Sequence, residues 1–482
     1  MAIAAKSEQV WNYRGLREWI DAVDRLGQLR KVTGAHWDLE IGAVTELLCE
    51  KYKQPPSILF DGIPDYPKNY RVLSAEIETV ERLALTTGLP PRISPLEFVQ
   101  RWRHKVRQIK PIEPEVVKDG PLLQNVLTGD DISILKFPAP RWHEEDGGRY
   151  IGTADLVITR DPEEGWVNLG TYRSMVHDER SVGLYISPGK HGRIQRQKYY
   201  DNQKSCPVAI SFGQDPLLFI AASIDVPYGM NELAYAGGVR GEPIQVISGP
   251  KTGLPIPANS EIAIEGEMIP GDLKEEGPFG EWTGYYASHR RPEPVVRIHT
   301  LMYRSDPILC GAPPLKPSVG QGFYRSLLRS ALIWNALEET GVPDVTGVAV
   351  HPAASRLMVI VGIKQRYPGH AKQAAVIAGQ CRAGGYMGRY VVVVDDDVNI
   401  FDSDDVIWAI CTRSDPQQSI DIVRRCWSGP LDPMLPAGAA GLNSRAIIDA
   451  TRPYERKDFP RVTGMSPELK KKMAQKWEKL LI

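Results

Sequence analysis

The sequence predicts a mixed α/β protein in which a β-rich central region lies between two regions of mixed helix and strand. Many short β-branched and apolar runs, separated by turn residues, fill residues 151–303, a pattern typical of a mostly antiparallel barrel or sandwich. From about residue 330, strand patterns alternate with helical ones, which favours a parallel sheet covered by helices. Because 482 residues exceed what one hydrophobic core usually supports, we expect several domains. The predicted boundaries are 1–110, 111–325, 326–464 and a C-terminal helix at 465–482.

The N-terminal lobe, residues 1–110, is predicted to open with helices and to contain at least one strand. Apolar residues recur at helical spacing in two stretches, Leu16, Trp19, Ile20, Val23 and Leu26, then Ile41, Val44, Leu47 and Leu48. The run "SILFDGI" at 57–63 predicts a short strand. The segment 105–148 is rich in proline and charge, which predicts a long connection into the central region.

The C-terminal part of the chain contains an acidic run and a terminal amphipathic helix. The run "DDDVNIFDSDD" at 395–405 lacks the glycine and the final glutamate of an EF-hand. It predicts the end of a strand, followed by a helix that Asp404 or Asp405 caps. In the last segment Ser466 is a predicted cap and Pro467 the first helical residue. The apolar face of that helix packs on its own chain or on a neighbouring subunit, and its members are Leu469, Met473, Trp477 and Leu480.

The composition excludes several classes of protein. Hydrophobic residues make up 42% of the chain and charged residues 24%, and the formal net charge is -1, so a polyanionic partner such as nucleic acid or a membrane surface is not expected. The six cysteines include no CxxC spacing, which speaks against a zinc knuckle or a disulfide framework. The N-terminal residues lack the apolar core of a signal peptide, and no apolar run reaches the roughly 20 residues that span a bilayer. We therefore expect a cytoplasmic protein.

The stretch "EEGPFGEWTGYY" at 275–286 places Glu276 and Glu281 around Gly277, Pro278 and Gly280. Proline lacks the amide hydrogen that a strand ladder needs, and glycine adopts backbone angles that other residues avoid. The stretch is therefore predicted to be a shaped turn with a carboxylate on each side. From the residues alone it is either a solvated acidic turn or an acid/base pair beside a bound reactant.

Two polar segments of the central region contain a candidate metal site. The segments 166–193 and 227–241 supply an amide oxygen from Asn168, an imidazole nitrogen from His191 and a carboxylate from Glu232. Such a mixed set suits Mg²⁺ or Mn²⁺ completed by a phosphate, because these hard cations share their coordination between protein and ligand oxygens. Spacing alone leaves open that the three residues are unrelated.

Five motifs occur in an order that indicates a family. They are "NLGTYR" with "SPGKH", "NELAYAGGVRGEP", "EGPFGEWTGYY", "YPGHAKQ" and "VVVVDDDVNIFDSDDVIWAICTRSDP". With these motifs the chain resembles, over nearly its whole length, the UbiD-like reversible decarboxylases that use prenylated flavin mononucleotide (prenylated FMN). The resemblance implies a split-barrel-like flavin-binding domain at 111–325, a smaller α/β oligomerisation domain at 326–464 and a homo-oligomer, either a dimer or a hexamer. It also implies a flavin prenyltransferase as the source of the cofactor.

The resemblance also assigns roles to individual residues. It implies that Arg173, Glu276 and Glu281 are catalytic and that Asn168, His191 and Glu232 bind Mn²⁺, or Mg²⁺, which joins the protein to the cofactor phosphate. Further expected cofactor contacts are Thr153, Lys190, Ser223 and Lys372. The backbone oxygens of Ala222 and Ser223 are expected to hold a K⁺ ion.

The expected reaction is loss of CO₂ from an unsaturated or aromatic acid through a covalent adduct between substrate and cofactor. Arg173, paired with Glu276, would orient towards the substrate carboxylate. Glu281, as the free member of the set, would deliver the proton, with its pKa raised by a poorly hydrated pocket. The residues expected to line that pocket are Phe279, Trp282 or Tyr286.

The substrate expected first is an aromatic or heteroaromatic carboxylic acid. The alternatives are an aromatic acyl-CoA, such as a phthaloyl thioester, and an α,β-unsaturated acid.

Two other functions are less favoured. A flavin-binding protein without catalysis has no need of Arg173, Glu276 and Glu281, and a flavin-dependent oxidoreductase has no need of the predicted metal ligands. The segments 311–326 and 426–446 are predicted to shape the pocket, and small residues are expected to leave room for a large substrate, namely Ala437, Gly438, Ala439 and Ala440.

Overall fold

The computed structural model of the protein describes residues 13–224, 226–286, 289–317, 321–354, 356–429, 431–436 and 441–477. Its N-terminal lobe is built from α1 (Leu16–Arg25), β1 (Leu29–Thr33), α2 (Glu40–Lys51), β2 (Ser57–Asp61), β3 (Arg71–Ser74), α3 (Val80–Thr87) and α4 (Pro95–Gln108). The predicted helical stripes are confirmed as α1 and α2, and the predicted strand as β2. The stripe of α1 forms a helix because it buries Trp19 and Val23 completely against the core.

The central region contains most of the strands. Its elements are β4 (Glu115–Val116), β5 (Asn125–Thr128), β6 (Tyr150–Gly152), β7 (Asp155–Arg160), β8 (Val167–Gly170), β9 (Ser174–Asp178), β10 (Ser181–Leu184), α5 (His191–Asp201), β11 (Cys206–Phe212), α6 (Pro216–Ser223), α7 (Glu232–Arg240), β12 (Gln245–Ser248), β13 (Pro255–Pro257), β14 (Ile262–Glu276), β15 (Arg291–Tyr303) and β16 (Ile308–Gly311). Between α4 and β6 the chain forms only short elements, including 3-10 turns at Pro121–Gln124, Gly129–Asp131 and Ile134–Lys136.

The large central sheet is antiparallel and curls into a half barrel, which confirms the predicted split-barrel-like fold. Within the described residues its strand order is β6-β9-β10-β15-β14-β11-β7-β8, with β5 paired to β15. Both faces of the sheet are buried: Leu156 and Ile158 of β7 belong to one apolar cluster, while Val157 between them belongs to another. Burial on both faces explains why β7 and β11 are nearly continuous apolar runs, whereas the second half of β14 and the start of β15 are more exposed and polar.

One strand from the end of the central region completes the N-terminal sheet. The order of that sheet is β1-β2-β3-β16, and β16 pairs in parallel with β3. Residues 308–311 fall within the predicted range 111–325 but pair with the first lobe. The chain segment that follows β16 therefore starts at the junction of the N-terminal lobe and the central half barrel.

The C-terminal region forms a mixed sheet with helices. Its elements are α8 (Gln321–Glu339), β17 (Val345–Val350), β18 (Met358–Ile363), α9 (His370–Gln380), α10 (Arg382–Gly385), β19 (Tyr390–Asp395), α11 (Ser403–Arg413), α12 (Pro416–Ser419), β20 (Ile420–Trp427), β21 (Leu442–Ala450) and α13 (Pro467–Lys476). The strand order is β17-β18-β19-β21-β20, in which β19 is parallel to both neighbours.

The prediction of a parallel sheet holds for the centre of the C-terminal sheet and is wrong for its edges. β17 is antiparallel to β18, and β20 is antiparallel to β21. A parallel connection needs a crossover of a dozen or more residues, usually a helix. β17 and β18 are joined by seven residues, 351–357, and the described ones among them form no regular element except a 3-10 turn, so the chain reverses direction there.

Two predicted helix starts are tested by their caps. The carboxylate of Asp402 accepts a hydrogen bond from the Asp404 amide over 3.0 Å, so Asp402 caps α11 and the prediction of Asp404 or Asp405 is wrong. Asp402 has the extended backbone that a cap requires, whereas Asp404 and Asp405 are already helical. The predicted Ser466 cap of α13 is confirmed, because its hydroxyl accepts from the Leu469 amide over 3.1 Å.

The terminal helix does not bury its apolar face on the described part of the chain. Leu469 is 45% exposed and Trp477 is 51% exposed. Leu480, the last predicted member of that face, lies outside the described residues. No helix in the described ranges combines the length and the apolar character needed to cross a bilayer. All six cysteines are free thiols.

Candidate active site

An arginine side chain lies between two glutamates at one end of the half barrel. Arg173 follows β8, Glu276 is the last residue of β14, and Glu281 lies in the turn after it. Nε and Nη2 of Arg173 donate to Oε1 and Oε2 of Glu276 over 2.8 and 2.7 Å. Nη1 of Arg173 donates to Oε1 of Glu281 over 2.9 Å. The side chains of Arg173, Glu276 and Glu281 are only 7%, 0% and 15% exposed, so one guanidinium bridges two poorly hydrated carboxylates.

The interpretation of Glu281 as the free member of this set is therefore corrected. A guanidinium presents donors on all three of its nitrogens in one plane. Glu276 uses two of those nitrogens and leaves Nη1 directed at Glu281. A substrate carboxylate that approaches Arg173 therefore meets a guanidinium that already binds two carboxylates.

Burial controls the proton affinity of Glu281. Desolvation raises the pKa of its carboxyl to about 7, the charge of Arg173 opposes this rise, and the charge of Glu276 adds to it. A carboxyl group with such a pKa is present in both protonation states near neutral pH, which is the property required of a group that donates and accepts protons.

The turn that carries Glu281 is shaped as predicted at Gly277, which has a φ of +85°. Gly280 has an ordinary φ, and the second left-handed glycine is Gly284, with a φ of +79°. A neighbouring loop closes over the turn: the amide of Gly147 donates to the carbonyl of Pro278 over 2.8 Å. A Cβ at Gly147 would lie 1.9 Å from the carbonyl oxygen of Gly277, so only glycine permits this approach.

Two aromatic residues that sequence analysis missed support the arginine. The hydroxyl of Tyr150 donates to Oε1 of Glu276 over 2.8 Å, and its ring lies 4.0 Å from that of Phe279. The ring of Tyr185 lies between two guanidinium groups, 4.6 Å from that of Arg173 and 4.5 Å from that of Arg291. Nothing in the sequence around Tyr150 in β6, or around Tyr185 just after β10, distinguishes these tyrosines from ordinary buried aromatics.

The predicted metal ligands come from three elements and lie together. Asn168 is in β8, His191 begins α5 and Glu232 begins α7. The carboxylate of Glu232 accepts from the amide of Leu169, next to Asn168, over 2.8 Å. A Cβ on Gly192, next to His191, would lie 3.5 Å from Nδ2 of Asn168.

The chemistry of these residues fits a divalent cation. Glu232 is 3% exposed, and desolvation raises the pKa of its carboxyl to about 8. Nδ2 of Asn168 is buried without a hydrogen-bond partner among the described residues; this donor suits an anionic oxygen such as that of a phosphate, while a cation would be bound by Oδ1 of the same side chain. No group of three or more His, Cys, Asp or Glu side chains in the described ranges has the geometry of a metal site. The protein therefore offers an incomplete, mixed set of ligands, which suits a cation that shares its coordination with phosphate oxygens.

A short segment, residues 168–173, joins one of the predicted metal ligands, Asn168, to Arg173. It runs from Asn168 through Tyr172 to Arg173, and the Tyr172 ring packs so close to Gly170 that a Cβ there would lie 2.3 Å from it.

The remaining predicted site residues make contacts of their own in the structure. Lys190 directly precedes α5 and His191. Oγ1 of Thr153 accepts from the Ala312 amide over 2.9 Å, and Oγ of Ser223 accepts from the Tyr324 hydroxyl over 2.8 Å. Ala222 adjoins Ser223 near the end of α6, and Lys372 of α9 forms an ion pair with Asp421 of β20. Among the described contacts, none joins Lys372 to the arginine or to the metal ligands. Residues 437–440, predicted to leave room for substrate, lie outside the described residues.

Comparison with known proteins covers almost the whole chain. Models of the N-terminal, the central Rift-related and the C-terminal domains of 3-octaprenyl-4-hydroxybenzoate carboxy-lyase match residues 20–102, 115–317 and 323–450. The pyrrole-2-carboxylic acid decarboxylase of Pseudomonas aeruginosa is 31% identical over an alignment of 459 residues, which covers 91% of this chain and 91% of its own.

Two solved structures share the fold. The open form of the vanillic acid decarboxylase of Sedimentibacter hydroxybenzoicus has a TM-score of 0.86 and 30% identity and covers 97% of this chain and 99% of its own. An evolved dimeric form of the UbiD-class enzyme HmfF of Pelotomaculum thermopropionicum, in complex with prenylated FMN, has a TM-score of 0.81 and 26% identity and covers 95% and 98%. The chain therefore belongs to the UbiD family, and the protein is a carboxy-lyase.

Proposed function

We propose that the protein is a reversible, non-oxidative decarboxylase of an aromatic or heteroaromatic carboxylic acid and that it uses prenylated FMN. The observation that carries this proposal is the buried arrangement of Arg173 between Glu276 and Glu281. The names of the relatives support the substrate class, because they include decarboxylases of pyrrole-2-carboxylic acid and vanillic acid.

The three residues have different roles in this proposal. Bound prenylated FMN supplies the electron sink for the pair left behind by CO₂. Arg173, held by Glu276, binds and orients the substrate carboxylate. Glu281 in its protonated form gives its proton to the carbon that has lost CO₂, and in its ionised form removes that proton in the reverse direction. The low exposure of the Glu281 side chain, 15%, limits the access of bulk water to the transferred proton.

The cofactor would be held through its phosphate. Asn168, His191 and Glu232 would bind Mn²⁺ or Mg²⁺, with Lys190 beside the phosphate. Further contacts would come from Thr153, Ser223 and Lys372, of which Lys372 would first have to leave Asp421. The backbone oxygens of Ala222 and Ser223 would hold K⁺. A flavin prenyltransferase would supply the cofactor.

The protein would work as a homo-oligomer, either a dimer or a hexamer. Supporting this, the face of α13 that carries Leu469 and Trp477 is about half exposed in the single chain. Covering that face with a second subunit would remove apolar surface from water.

The experiment that tests the function is an activity screen of protein produced with a flavin prenyltransferase. Aromatic, heteroaromatic and unsaturated acids would be assayed for CO₂ release and for exchange of the product hydrogen in deuterated water. The control is protein produced without the prenyltransferase. We expect turnover of at least one aromatic acid only in the first preparation. A preparation that contains prenylated FMN yet releases CO₂ from none of the acids and exchanges no hydrogen would contradict the proposal.

A further inference from the structure

A buried carboxyl group binds the segment that carries Arg173. Asp155 is the first residue of β7 and is completely buried. Its Oδ2 accepts a hydrogen bond from the Ser174 hydroxyl over 2.8 Å. Its Oδ1 accepts from the Tyr172 amide over 3.2 Å and from the Thr171 hydroxyl over 3.3 Å. One carboxyl group therefore binds the chain immediately before and immediately after Arg173.

A neighbouring strand encloses this carboxyl group. A Cβ at Gly152 of β6 would lie 2.2 Å from Oδ2 of Asp155 and 2.7 Å from Oγ of Ser174, so only glycine permits this approach. Gly152 and Ser174 are also paired across β6 and β9. The bond between Asp155 and Ser174 therefore lies where three strands meet, and the carboxyl group has little room to turn away from the segment.

Asp155 has no counter-ion among the described residues. Asp161, which directly follows the same strand, is by contrast paired with Lys198 over 2.8 Å. Burial raises the pKa of Asp155 to about 7, and the hydrogen bonds from Ser174 and Tyr172 oppose this rise. Burying a carboxyl group without a counter-ion costs free energy unless hydrogen bonds compensate. The donors on both sides of Arg173 thus take the place of a counter-ion.

The guanidinium of Arg173 depends on the direction of its backbone. Arg173 lies in the three-residue connection between β8 and β9, and its Nε and Nη2 form paired bonds with one carboxylate, that of Glu276. Paired bonds of this kind require the two planar groups to be aligned. A backbone rotation beside Arg173 would turn the guanidinium away from both Glu276 and Glu281.

We propose that Asp155 is a positioning residue for the decarboxylation: it holds the backbone on both sides of Arg173, so that the guanidinium faces Glu276 and Glu281. This inference rests on the proposed function, in which Arg173 binds the substrate carboxylate, and adds a residue that acts through Arg173. Among the described contacts, the side chain of Asp155 bonds to the neighbours of Arg173 and not to its guanidinium.

Hydrogen–deuterium exchange tests the inference without a substrate, on the full chain produced with and without the flavin prenyltransferase. Asp155→Asn keeps the size of the side chain but removes its charge and one acceptor oxygen. Ser174→Ala is milder, because it removes one of the bonds to Asp155. The matched control is Asp161→Asn. Asp161 is 1% exposed, and at the other end of β7 its carboxylate accepts from the amides of Glu163 and Glu164 over 2.9 and 3.0 Å. Thermal melting of each variant checks its folding.

We expect the amides of residues 171–174 to exchange about 10-fold or more faster in Asp155→Asn, as the loss of a hydrogen bond to a charged group would allow. Ser174→Ala should give a smaller increase at the same amides. Asp161→Asn should speed exchange at residues 163–164 and leave residues 171–174 unchanged.

Kinetics with an acid that the activity screen identifies provide a second measurement. Asp155→Asn should raise KM about 10-fold, more than kcat falls, because the substrate carboxylate meets a displaced arginine. Asp161→Asn should change neither constant. In an Arg173→Gln background, calorimetry should show that Asp155→Asn weakens binding of the same acid no further, since Asp155 acts through Arg173.

Three outcomes overturn the inference. They are unchanged exchange at residues 171–174 in Asp155→Asn, an equal increase there in Asp161→Asn, and a further loss of acid binding when Asp155→Asn is added to Arg173→Gln. If Asp155→Asn does not fold, Ser174→Ala decides by the same exchange and kinetic measurements.

The proposed function fails separately from the inference. If exchange at residues 171–174 rises only in Asp155→Asn and Ser174→Ala, and no acid in the screen loses CO₂, then Asp155 positions Arg173 in a protein that is not a decarboxylase of these acids. If an acid is decarboxylated and its KM is unchanged in folded Asp155→Asn, the function stands and the inference is overturned.

Discussion

The hydroxyl of Tyr150 donates a hydrogen bond to Oε1 of Glu276 over 2.8 Å, and the same oxygen accepts from Nε of Arg173. Tyr150 and Glu276 are completely buried. Tyr150 therefore fixes the orientation of the carboxylate that in turn orients the guanidinium, although it does not contact Arg173 through this bond.

Replacement of Tyr150 by phenylalanine should loosen this arrangement. A hydrogen bond to a charged group contributes about 1.5–3 kcal/mol, and we expect the free energy of unfolding to fall by an amount at the lower end of this range because Arg173 still satisfies Glu276. The Michaelis constant for the substrate acid should rise more than turnover falls. Urea unfolding and steady-state kinetics measure both effects. The control is Tyr285→Phe in the exposed part of the same turn, and equal behaviour of the two variants would contradict the prediction.

The two glutamates should respond differently to replacement by glutamine. Glu281→Gln cannot supply a proton, so it should keep its flavin and bind substrate but lose turnover and hydrogen exchange by about 10²- to 10⁴-fold. Glu276→Gln removes the counter-charge of Arg173, and substrate binding should suffer as well. Because the three residues act as a unit, the double variant should lose less than the product of the single losses. Near-native turnover of flavin-loaded Glu281→Gln would refute its role as proton donor.

The rate of decarboxylation should fall as the pH rises through neutrality. Burial raises the pKa of Glu281 to about 7, and the proton donor must be protonated, so the active fraction decreases above that pH. The profile of kcat/KM against pH in cofactor-loaded protein measures this limb. Hydrogen exchange into the product, which requires the ionised carboxylate, should rise over the same interval. A decarboxylation rate that increases through about pH 7 would exclude Glu281 as the acid.

Binding of Mn²⁺ should strengthen with pH in protein that lacks metal and flavin. Burial raises the pKa of Glu232 to about 8, and the metal requires the ionised carboxylate, so each pH unit below that value should weaken binding about 10-fold. The neutral form is the one that the folded metal-free protein favours. The contribution of neutral Glu232 to the stability of the folded protein is complete at pH values below the ordinary pKa of 4.5. That contribution is lost as the pH rises through about 8. Added Mn²⁺ should therefore raise the melting temperature most above that pH.

The variant His191→Ala provides the control for the metal prediction. It should lose the metal and the flavin together, because each completes the binding site of the other. Metal analysis and mass spectrometry of the extracted cofactor measure the two contents. Full flavin content without any divalent metal, or stoichiometric zinc without flavin, would contradict the assignment of Asn168, His191 and Glu232.

Removal of the terminal helix should reduce the size of the assembly. A chain that ends at Gly464 lacks α13 and with it the exposed side chains of Leu469 and Trp477. If that face packs on a neighbouring subunit, the truncated protein should have a lower mass by light scattering and a lower melting temperature. Equal mass and equal stability of the two chains would show that α13 does not join subunits.

Local patterns in the sequence were sufficient to predict much of the fold. The short apolar and β-branched runs of residues 151–303, divided by turn residues, predict a mostly antiparallel barrel or sandwich. The helical stripe around Trp19 and the cap at Ser466 predict their helices for equally local reasons. The glycines and the proline of the 275–286 turn predict only its shape, whereas the family resemblance of the ordered motifs selects Arg173, Glu276 and Glu281 as candidate site residues.

Only the tertiary structure decided how those residues meet. The bond between Tyr150 and Glu276 joins residues 126 positions apart, and no periodicity of either strand records such a contact. Arg173 also binds Glu281, because the guanidinium directs its third nitrogen, Nη1, towards that carboxylate once Glu276 occupies the other two. β16 lies in the N-terminal sheet, and one cleft is lined by Arg325, Arg329 and Arg356. Both arrangements depend in the same way on packing between distant segments. Secondary structure arises from neighbours in the chain, whereas these contacts arise from which surfaces are buried together.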